Sequence, residues 1–142
     1  MCIRDRKLAA TESTDMAELK QIQTPLAPAA LGPYSQAIRS GSMVFMSGQI
    51  PLNPETMALV DGGIEAQTRQ VFRNLAAVDT AACSDLCHAV KITIYLTDLN
   101  DFTAVNSIMA EHFKEPYPAR ATIQVSALPK GSMVEIDAIL GP

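Results

Sequence analysis

An arginine lies on a stiff stretch of backbone at residues 115–120, which have the sequence EPYPAR. Pro116 and Pro118 each fix φ and push the preceding residue towards extended backbone, so this stretch is predicted to be rigid and non-helical. An alternating strand begins directly after Arg120. A guanidinium presents a planar fork that holds a carboxylate through two hydrogen bonds, and a rigid mount keeps that fork aimed. Two structural alternatives are an ion pair between subunits and a solvated charge at a strand end.

A carboxylate, Glu135, lies in the middle of the segment MVEIDAI, where a strand favours apolar or β-branched residues. A carboxylate at such a position costs free energy unless it is paired or has a function. Glu135 is therefore a second candidate for chemistry. The alternative is that it points to solvent on an alternating strand, as Asp137 can.

The three cysteines are too few for a disulfide framework, which favours a reducing, cytoplasmic compartment. Cys83, Cys87 and His88 lie together in CSDLCH, but the usual zinc spacing is tighter, and no second pair of ligands follows. The sequence therefore predicts no metal site and favours small core cysteines.

Composition narrows the class of protein. A chain of 142 residues fits one domain with a single core. Its net charge is −4, and Lys and Arg form no dense cluster, which argues against nucleic acid as a partner. No apolar stretch is long enough to span a membrane, and the first residues lack the apolar region of a secretory signal.

The elements that must hold these residues follow from hydrophobic periodicity. Two strands, SQAIRS and MVFMSGQ, flank Gly41-Ser42, which predicts a type II′ hairpin. Helical spacing follows, with an apolar stripe at Ile64, Val71, Leu75, Val78 and Ala82. The next segment, AVKITIYLT, alternates as a strand, with Val90, Ile92, Ile94 and Leu96 on one side.

A second helix is predicted after Asn100 or Asp101, either of which can cap it. Its apolar stripe is Phe102, Val105, Met109 and Phe113, and Pro116 is expected to end it. Two strands, ATIQVSAL and MVEIDAIL, close the chain. Two helices can cover only one face of the resulting sheet. Because the last strand is apolar on both sides, we expect the uncovered face to pack against another subunit.

Five segments of the chain resemble the RidA/YjgF family, in the order and at the spacing of that family. They are GPYSQA at 32–37, SGQIP at 47–51, LTDLNDFTAVN at 96–106, YPARAT at 117–122 and LPKGSMVEIDAI at 128–139. The resemblance implies an α+β fold, a chorismate-mutase-like sheet of about five to six strands with two helices on one face. It also implies a homotrimer with sites between subunits and no cofactor.

Members of that family are enamine/imine deaminases. They hydrolyse reactive species such as 2-iminobutanoate and 2-iminopropanoate to 2-oxo acids and ammonia. By resemblance, Arg120 anchors the substrate carboxylate and Glu135 orients and activates the attacking water as a general base. The residues that the resemblance places in substrate binding are Tyr34, Ser47, Gly48, Asn106 and Thr122.

Some of these assignments have structural alternatives. Ser47 and Asn106 are nearly as well explained by a purely structural role, and Thr122 stands where many members have Cys. Lys91 and His112 are expected at the surface or at an interface.

Two other functions compete with the deaminase. One is a non-catalytic trimeric ligand-binding or chaperone-like protein, which would need Arg120 but not Glu135. The other is an endoribonuclease or translation inhibitor, since some family members have been described in that way. The acidic charge balance and the absence of a basic stripe in the sequence argue against this last function.

The N-terminal residues 1–15 are expected to be a disordered or non-native tail before a single domain at 16–142. They have no periodicity and no cap signal, whereas Met16 begins a stretch typical of a family start. A chain that starts at Met16 should therefore keep the full catalytic rate and the full Tm. A fall in Tm of more than a few degrees, measured by thermal denaturation, would show that the tail packs on the domain.

Overall fold

The computed structural model describes residues 18–82 and 88–142. The tail at residues 1–15 and the two cysteines of CSDLCH lie outside the described residues. The strands are β1 (Leu19–Ile22), β2 (Ala37–Ser40), β3 (Met43–Gln49), β4 (Ala89–Leu96), β5 (Ala119–Gln124) and β6 (Val134–Leu140). The helices are α1 (Ile64–Ala81) and α2 (Phe102–His112), and short 3₁₀ turns occupy Leu99–Asp101 and Pro129–Gly131.

The strands form one six-stranded sheet in the order β1-β2-β3-β6-β4-β5. The last strand in the chain, β6, lies in the middle of the sheet and pairs antiparallel with β3 and β4. Strands β4 and β5 are parallel, and α2 supplies the crossover that a parallel connection requires. The α+β class, the two helices and the upper end of the predicted strand number are confirmed.

The order of elements predicted from the sequence did not include strand β1, and the structure corrects that prediction. This strand pairs antiparallel with β2, from Leu19 opposite Ser40 to Ile22 opposite Ala37, and of its residues only Ile22 is buried. An edge strand of four residues with two exposed polar side chains at its centre has no alternating apolar pattern. Periodicity therefore had no signal to detect.

The predicted hairpin between β2 and β3 is confirmed. Gly41 has a φ of 60°, while Ser42 is outside the positive-φ region. A positive φ at the first central residue alone fits a type II′ turn, whereas type I′ would need it at both.

Helix α1 buries the predicted stripe, with Val71, Leu75 and Val78 fully inside the core. The start of α2 differs from the prediction. The Asp98 carboxylate accepts a hydrogen bond from the Asn100 N–H at 2.9 Å and caps the 3₁₀ turn, which runs directly into α2. Asp101 occupies the cap position of α2 without a side-chain bond.

The end of α2 and the start of β4 also need correction. The helix ends at His112, and Phe113 is already extended before Pro116 is reached. In β4, the pairing with β6 is irregular between Ala89 and Lys91, so Ala89 is buried while Val90 is 45% exposed. A bulge inserts one residue and reverses the alternation of side chains, which explains why Val90 leaves the predicted apolar side.

Both helices pack on one face of the sheet, where one core cluster joins α1, α2, β4 and β6. No described helix covers the opposite face, which we call the open face. It presents the alternate side chains of β3 to β6, which include Phe45, Tyr95, Ile123, Glu135, Asp137 and Ile139. None of the described helices is long and apolar enough to cross a membrane.

Candidate functional site

Arg120 lies on β5, beside Ile92 of β4, and so belongs to the helix-covered face of the sheet. Its guanidinium donates a hydrogen bond of 2.6 Å to Oδ1 of Asn106 on α2. Its Cζ atom lies 5.0 Å from the centroid of the Phe102 ring, within the range of a cation–π contact. These contacts with α2 fix the direction of the guanidinium, and the stiff segment before β5 fixes its backbone.

A cleft of about 440 Å³ opens at this guanidinium. Its lining residues come from α2 and from the start of β5, and they are Asn106, Met109, Ala110, Tyr117, Pro118 and Arg120. Arg120 is the one charged residue in that lining. The cleft therefore offers a fixed positive charge beside apolar walls, which suits a small anion with an apolar part.

Glu135 lies on β6 and faces the other way, onto the open face, opposite Tyr95 of β4. It is half-buried beside a cleft of about 270 Å³, whose lining also includes Tyr34, Gly48 and Lys130. Burial raises the pKa of the Glu135 carboxyl above its usual value, and the negative charge of Asp137 raises that pKa further. A raised pKa makes the ionised form of this carboxyl a stronger base, which suits it to accept a proton from water.

Gly48 allows the close approach that positions Glu135. A Cβ atom at residue 48 would lie 2.3 Å from Oε2 and 2.9 Å from Cδ of Glu135. The pairing of β3 with β6 shifts by one residue between Met46 and Gln49, so Ser47 and Gly48 form a bulge there. The family resemblance placed Gly48 in substrate binding, and in the structure the Glu135 side chain occupies the space beside it.

Tyr34 and Ser47 have different surroundings. The Tyr34 side chain is 54% exposed and lines the Glu135 cleft, where it is free to contact a ligand. The Ser47 hydroxyl donates to the Ser35 carbonyl at 2.5 Å, which ties β3 to the segment before β2. The Ser47 side chain is thus accounted for by a structural role, and its contact with substrate stays a prediction.

Thr122 lies beside Ile94 on the helix-covered side of β5. Its hydroxyl oxygen is buried and has no hydrogen-bond partner among the described residues. It lines neither the Arg120 cleft nor the Glu135 cleft. The substrate contact expected of Thr122 remains a prediction, and within one chain its hydroxyl has no surface from which to make it.

The predicted site residues therefore fall into two groups. Arg120 and Asn106 meet on the helix-covered face, whereas Glu135, Gly48 and Tyr34 meet on the other side of the sheet. The register of β4 explains the separation, because Ile92 beside Arg120 and Tyr95 opposite Glu135 lie an odd number of residues apart and point to opposite faces. One subunit does not bring Arg120 and Glu135 together.

Gln36 shapes the Glu135 cleft, although no periodic pattern in the sequence marks this residue. Its buried side-chain amide accepts from the Thr24 N–H at 2.7 Å and donates to the Pro28 carbonyl at 2.8 Å. This clamp folds the proline-rich segment beside Tyr34. A glutamine inside the GPYSQA block was the only available hint.

Two non-glycine residues at the same cleft have left-handed backbone, Met57 with φ of 60° and Lys130 with φ of 59°. The Lys130 ammonium donates to the Met57 carbonyl at 3.3 Å and joins the two loops. Left-handed backbone costs on the order of 1 kcal/mol in a non-glycine residue. The sequence offers no pattern that marks such positions outside glycine.

His112 and Lys91, both expected at the surface or at an interface, have different surroundings. His112 stacks on the Phe72 ring at a centroid distance of 4.6 Å, and burial lowers its pKa despite the nearby Glu111 carboxylate. Lys91 is exposed at the start of β4. Within residues 18–82 and 88–142, no group of three or more His, Cys, Asp or Glu side chains is placed to hold a metal ion.

A mixed sheet with two helices on one face is the fold of solved Rid proteins. A protein of the conserved Rid family from Yersinia pestis, YyfA, has a TM-score of 0.86 and 48% sequence identity, with 88% of this chain and 100% of that chain covered. A family model described as Endoribonuclease L-PSP matches residues 24–140. The chain belongs to this family, whose other name is the RidA/YjgF family.

Relatives in the family have different names. Protein DfrA of Myxococcus xanthus is 54% identical over 122 residues, which are 84% of this chain and 93% of that protein. The human 2-iminobutanoate/2-iminopropanoate deaminase is 45% identical over 118 residues, which are 83% of this chain and 86% of that protein. The family thus includes imine deaminases at substantial identity to this chain.

Replacing Gly48 tests whether close approach positions Glu135. In Gly48→Ala the new methyl group would displace the carboxylate towards solvent, so we expect the pKa of Glu135 to fall towards its ordinary value. Carboxyl-carbon NMR titration would measure this shift. Gly63→Ala is the matched control, because a Cβ at Gly63 meets no atom within 4 Å. An unchanged Glu135 titration in Gly48→Ala would contradict the role of the close approach.

Proposed function

We propose that the protein hydrolyses reactive 2-imino and enamine acids, including 2-iminobutanoate and 2-iminopropanoate, to 2-oxo acids and ammonia. The observation that supports the proposal is a pair of side chains whose surroundings suit them to this reaction. One is a guanidinium held by Asn106 and Phe102 at a cleft, and the other is a half-buried carboxylate whose pKa is raised. Membership of a family that includes a 2-iminobutanoate/2-iminopropanoate deaminase supports the choice of substrate.

The chemistry assigns a step to each group. Arg120 binds the substrate carboxylate through two hydrogen bonds, which places the iminium carbon at a fixed distance from the anchor. Glu135 accepts a proton from a water molecule as the water oxygen bonds to the iminium carbon. The tetrahedral carbinolamine that results takes a proton on nitrogen from Glu135. As the carbonyl forms and the C–N bond breaks, the departing ammonia accepts the hydroxyl proton and leaves as ammonium. One water is consumed, Glu135 returns to its starting state, and no covalent intermediate with the protein is required.

The two groups must come from different subunits, because Arg120 and Glu135 lie on opposite faces of one sheet. We propose a homotrimer in which the open faces pack together, so that the Arg120 cleft of one subunit adjoins the Glu135 cleft of its neighbour. Exposed apolar side chains on the open face, such as Phe45 and Ile123, favour burial against another copy. The substrate then lies between subunits, within reach of the exposed Tyr34 ring.

Paired variants separate anchoring from proton transfer. Arg120→Lys keeps the charge but loses the planar fork, so binding and rate should both fall, by about 1.5–3 kcal/mol or roughly ten- to a hundredfold in kcat/KM. Glu135→Gln keeps the shape but cannot accept a proton, so it should lose turnover while it still binds a 2-oxo acid. Arg73→Lys, on the exposed side of α1, is the control for the arginine exchange.

The measurement generates the imine in situ with threonine dehydratase and follows release of 2-oxobutanoate, with semicarbazide as a competing trap. Calorimetry with 2-oxobutanoate reports binding separately. Release by Glu135→Gln at the parent rate would contradict the base role and would favour the non-catalytic, ligand-binding alternative.

Mixed oligomers test whether the site is shared between subunits. Arg120→Lys and Glu135→Gln subunits, unfolded together and refolded in equal amounts, should regain activity, because about a quarter of the sites combine an intact Arg120 with an intact Glu135. Either variant refolded alone should stay at its own low rate. No gain on mixing, together with a monomer in sedimentation at micromolar concentration, would contradict both the trimer and the shared site.

A further inference from the structure

A tyrosine and a second carboxylate surround Glu135 on the open face. Tyr95 lies directly opposite Glu135 in the register of β4 and β6. Its hydroxyl reaches diagonally and donates a hydrogen bond of 3.0 Å to Oδ2 of Asp137, the next open-face residue of β6. Both residues are partly buried. Glu135 and Asp137 thus lie on the same face of β6. The Tyr95 hydroxyl holds the Asp137 carboxylate, and the Tyr95 residue lies directly opposite Glu135.

The charges around Glu135 come from several elements. On β6 the neighbour is Asp137, and β4 presents Tyr95 and Lys91 on the same face. The segment before β2 and the 3₁₀ turn before β6 line the Glu135 cleft, whereas the β3 bulge of Ser47 and Gly48 has no titratable side chain. The titratable or charged groups nearest Glu135 on these elements are Tyr34, Tyr95, Lys130 and Asp137, whereas Lys91 lies further along β4, opposite Ile139.

We propose that Asp137 and Tyr95 are positioning residues for Glu135, with the Tyr95 hydroxyl holding the Asp137 carboxylate where its negative charge acts on Glu135. A nearby negative charge disfavours the ionised form of a carboxyl group and so makes its anion a stronger base. Without a fixed partner, the Asp137 side chain would rotate to reach solvent or Lys91, and its charge would act more weakly. Tyr95 prevents that rotation. This inference rests on the proposed function, in which Glu135 is the base.

Other observations agree with this arrangement. The pKa of Glu135 is raised first by burial and then by Asp137, and the pKa of Tyr95 is raised by burial and by its hydrogen bond to Asp137. The Tyr95 phenol therefore stays protonated as a donor at the pH at which Glu135 titrates. The absence of a side chain at Gly48 leaves room for the Glu135 carboxylate beside β3.

The test compares Asp137→Asn and Tyr95→Phe with the parent full-length protein in two measurements. One is the pH profile of kcat/KM for 2-iminobutanoate hydrolysis, and the other is the carboxyl-carbon NMR titration of Glu135, which does not depend on activity. Asp137→Asn should move the Glu135 midpoint and the acid limb of the profile to lower pH by about 0.5 units. The weaker base should also lower the plateau rate roughly twofold.

Tyr95→Phe removes one oxygen and keeps the ring, so it should shift the midpoint in the same direction by a smaller amount. Glu65→Gln is the control, because it also removes a negative charge but lies on the exposed side of α1, across the sheet from Glu135. It should shift neither the midpoint nor the pH profile. The charge of Lys130 and the charge of Arg120 from the adjacent subunit of the proposed trimer are unchanged in all these variants. They therefore do not affect the comparison.

The possible outcomes distinguish a failure of this inference from a failure of the proposed deaminase function. An unchanged Glu135 midpoint in Asp137→Asn overturns the inference, and an unchanged midpoint in Tyr95→Phe overturns the part assigned to Tyr95. A midpoint that moves while the pH profile of the rate stays fixed supports the electrostatic coupling but removes Glu135 as the base. In that case the proposed function fails and the positioning of the carboxylate stands.

Discussion

The pairing of β6 between β3 and β4 is the constraint on which the rest of the structure depends. It sends every second side chain of β6 into the core beneath the helices, namely Val134, Ile136, Ala138 and Leu140, and it sends Glu135 and Asp137 to the open face. The parallel pairing of β5 with β4 then puts Arg120 on the side of α2. A slip of one residue in either pairing would move a charge into the core or take Arg120 away from Asn106. Core packing and placement of the chemical groups are therefore set by the same register.

The functional groups are held at a cost to stability. Because the fold raises the pKa of Glu135, the folded chain binds its proton more tightly than the unfolded chain does. The stabilising effect of that proton is present at pH below the ordinary pKa of a glutamate, and it is lost as pH rises through the raised value. Left-handed backbone at Met57 and Lys130 also opposes folding, as does burial of the Thr122 hydroxyl with no hydrogen-bond partner in residues 18–82 and 88–142. The core of α1, α2, β4 and β6 has to offset these terms.

Sequence-based prediction succeeded where the signal is local and repeated. Periodic spacing predicted the apolar stripe of α1 and the alternation of β4 and β6. A local glycine signal predicted the turn between β2 and β3. It failed where a partner strand decides the geometry. The edge strand β1 and the reversed alternation at Val90 both depend on pairing with a neighbouring strand. For the candidate site, the residue types were predicted through a family resemblance, but their division between two faces required the register of the sheet.

The sequence by itself determined which side chains have chemistry available and how stiffly each is mounted, because proline geometry, helical spacing and strand alternation act over a few residues. It determined that Arg120 follows a rigid segment and that Glu135 interrupts an apolar strand. Only the tertiary structure decided that Asn106 holds Arg120, that Glu135 lies against Gly48, and that Tyr95 donates to Asp137, 42 residues away. Such contacts join residues far apart in the chain, and no local pattern encodes them, because they arise only when packing of the core fixes the register between strands.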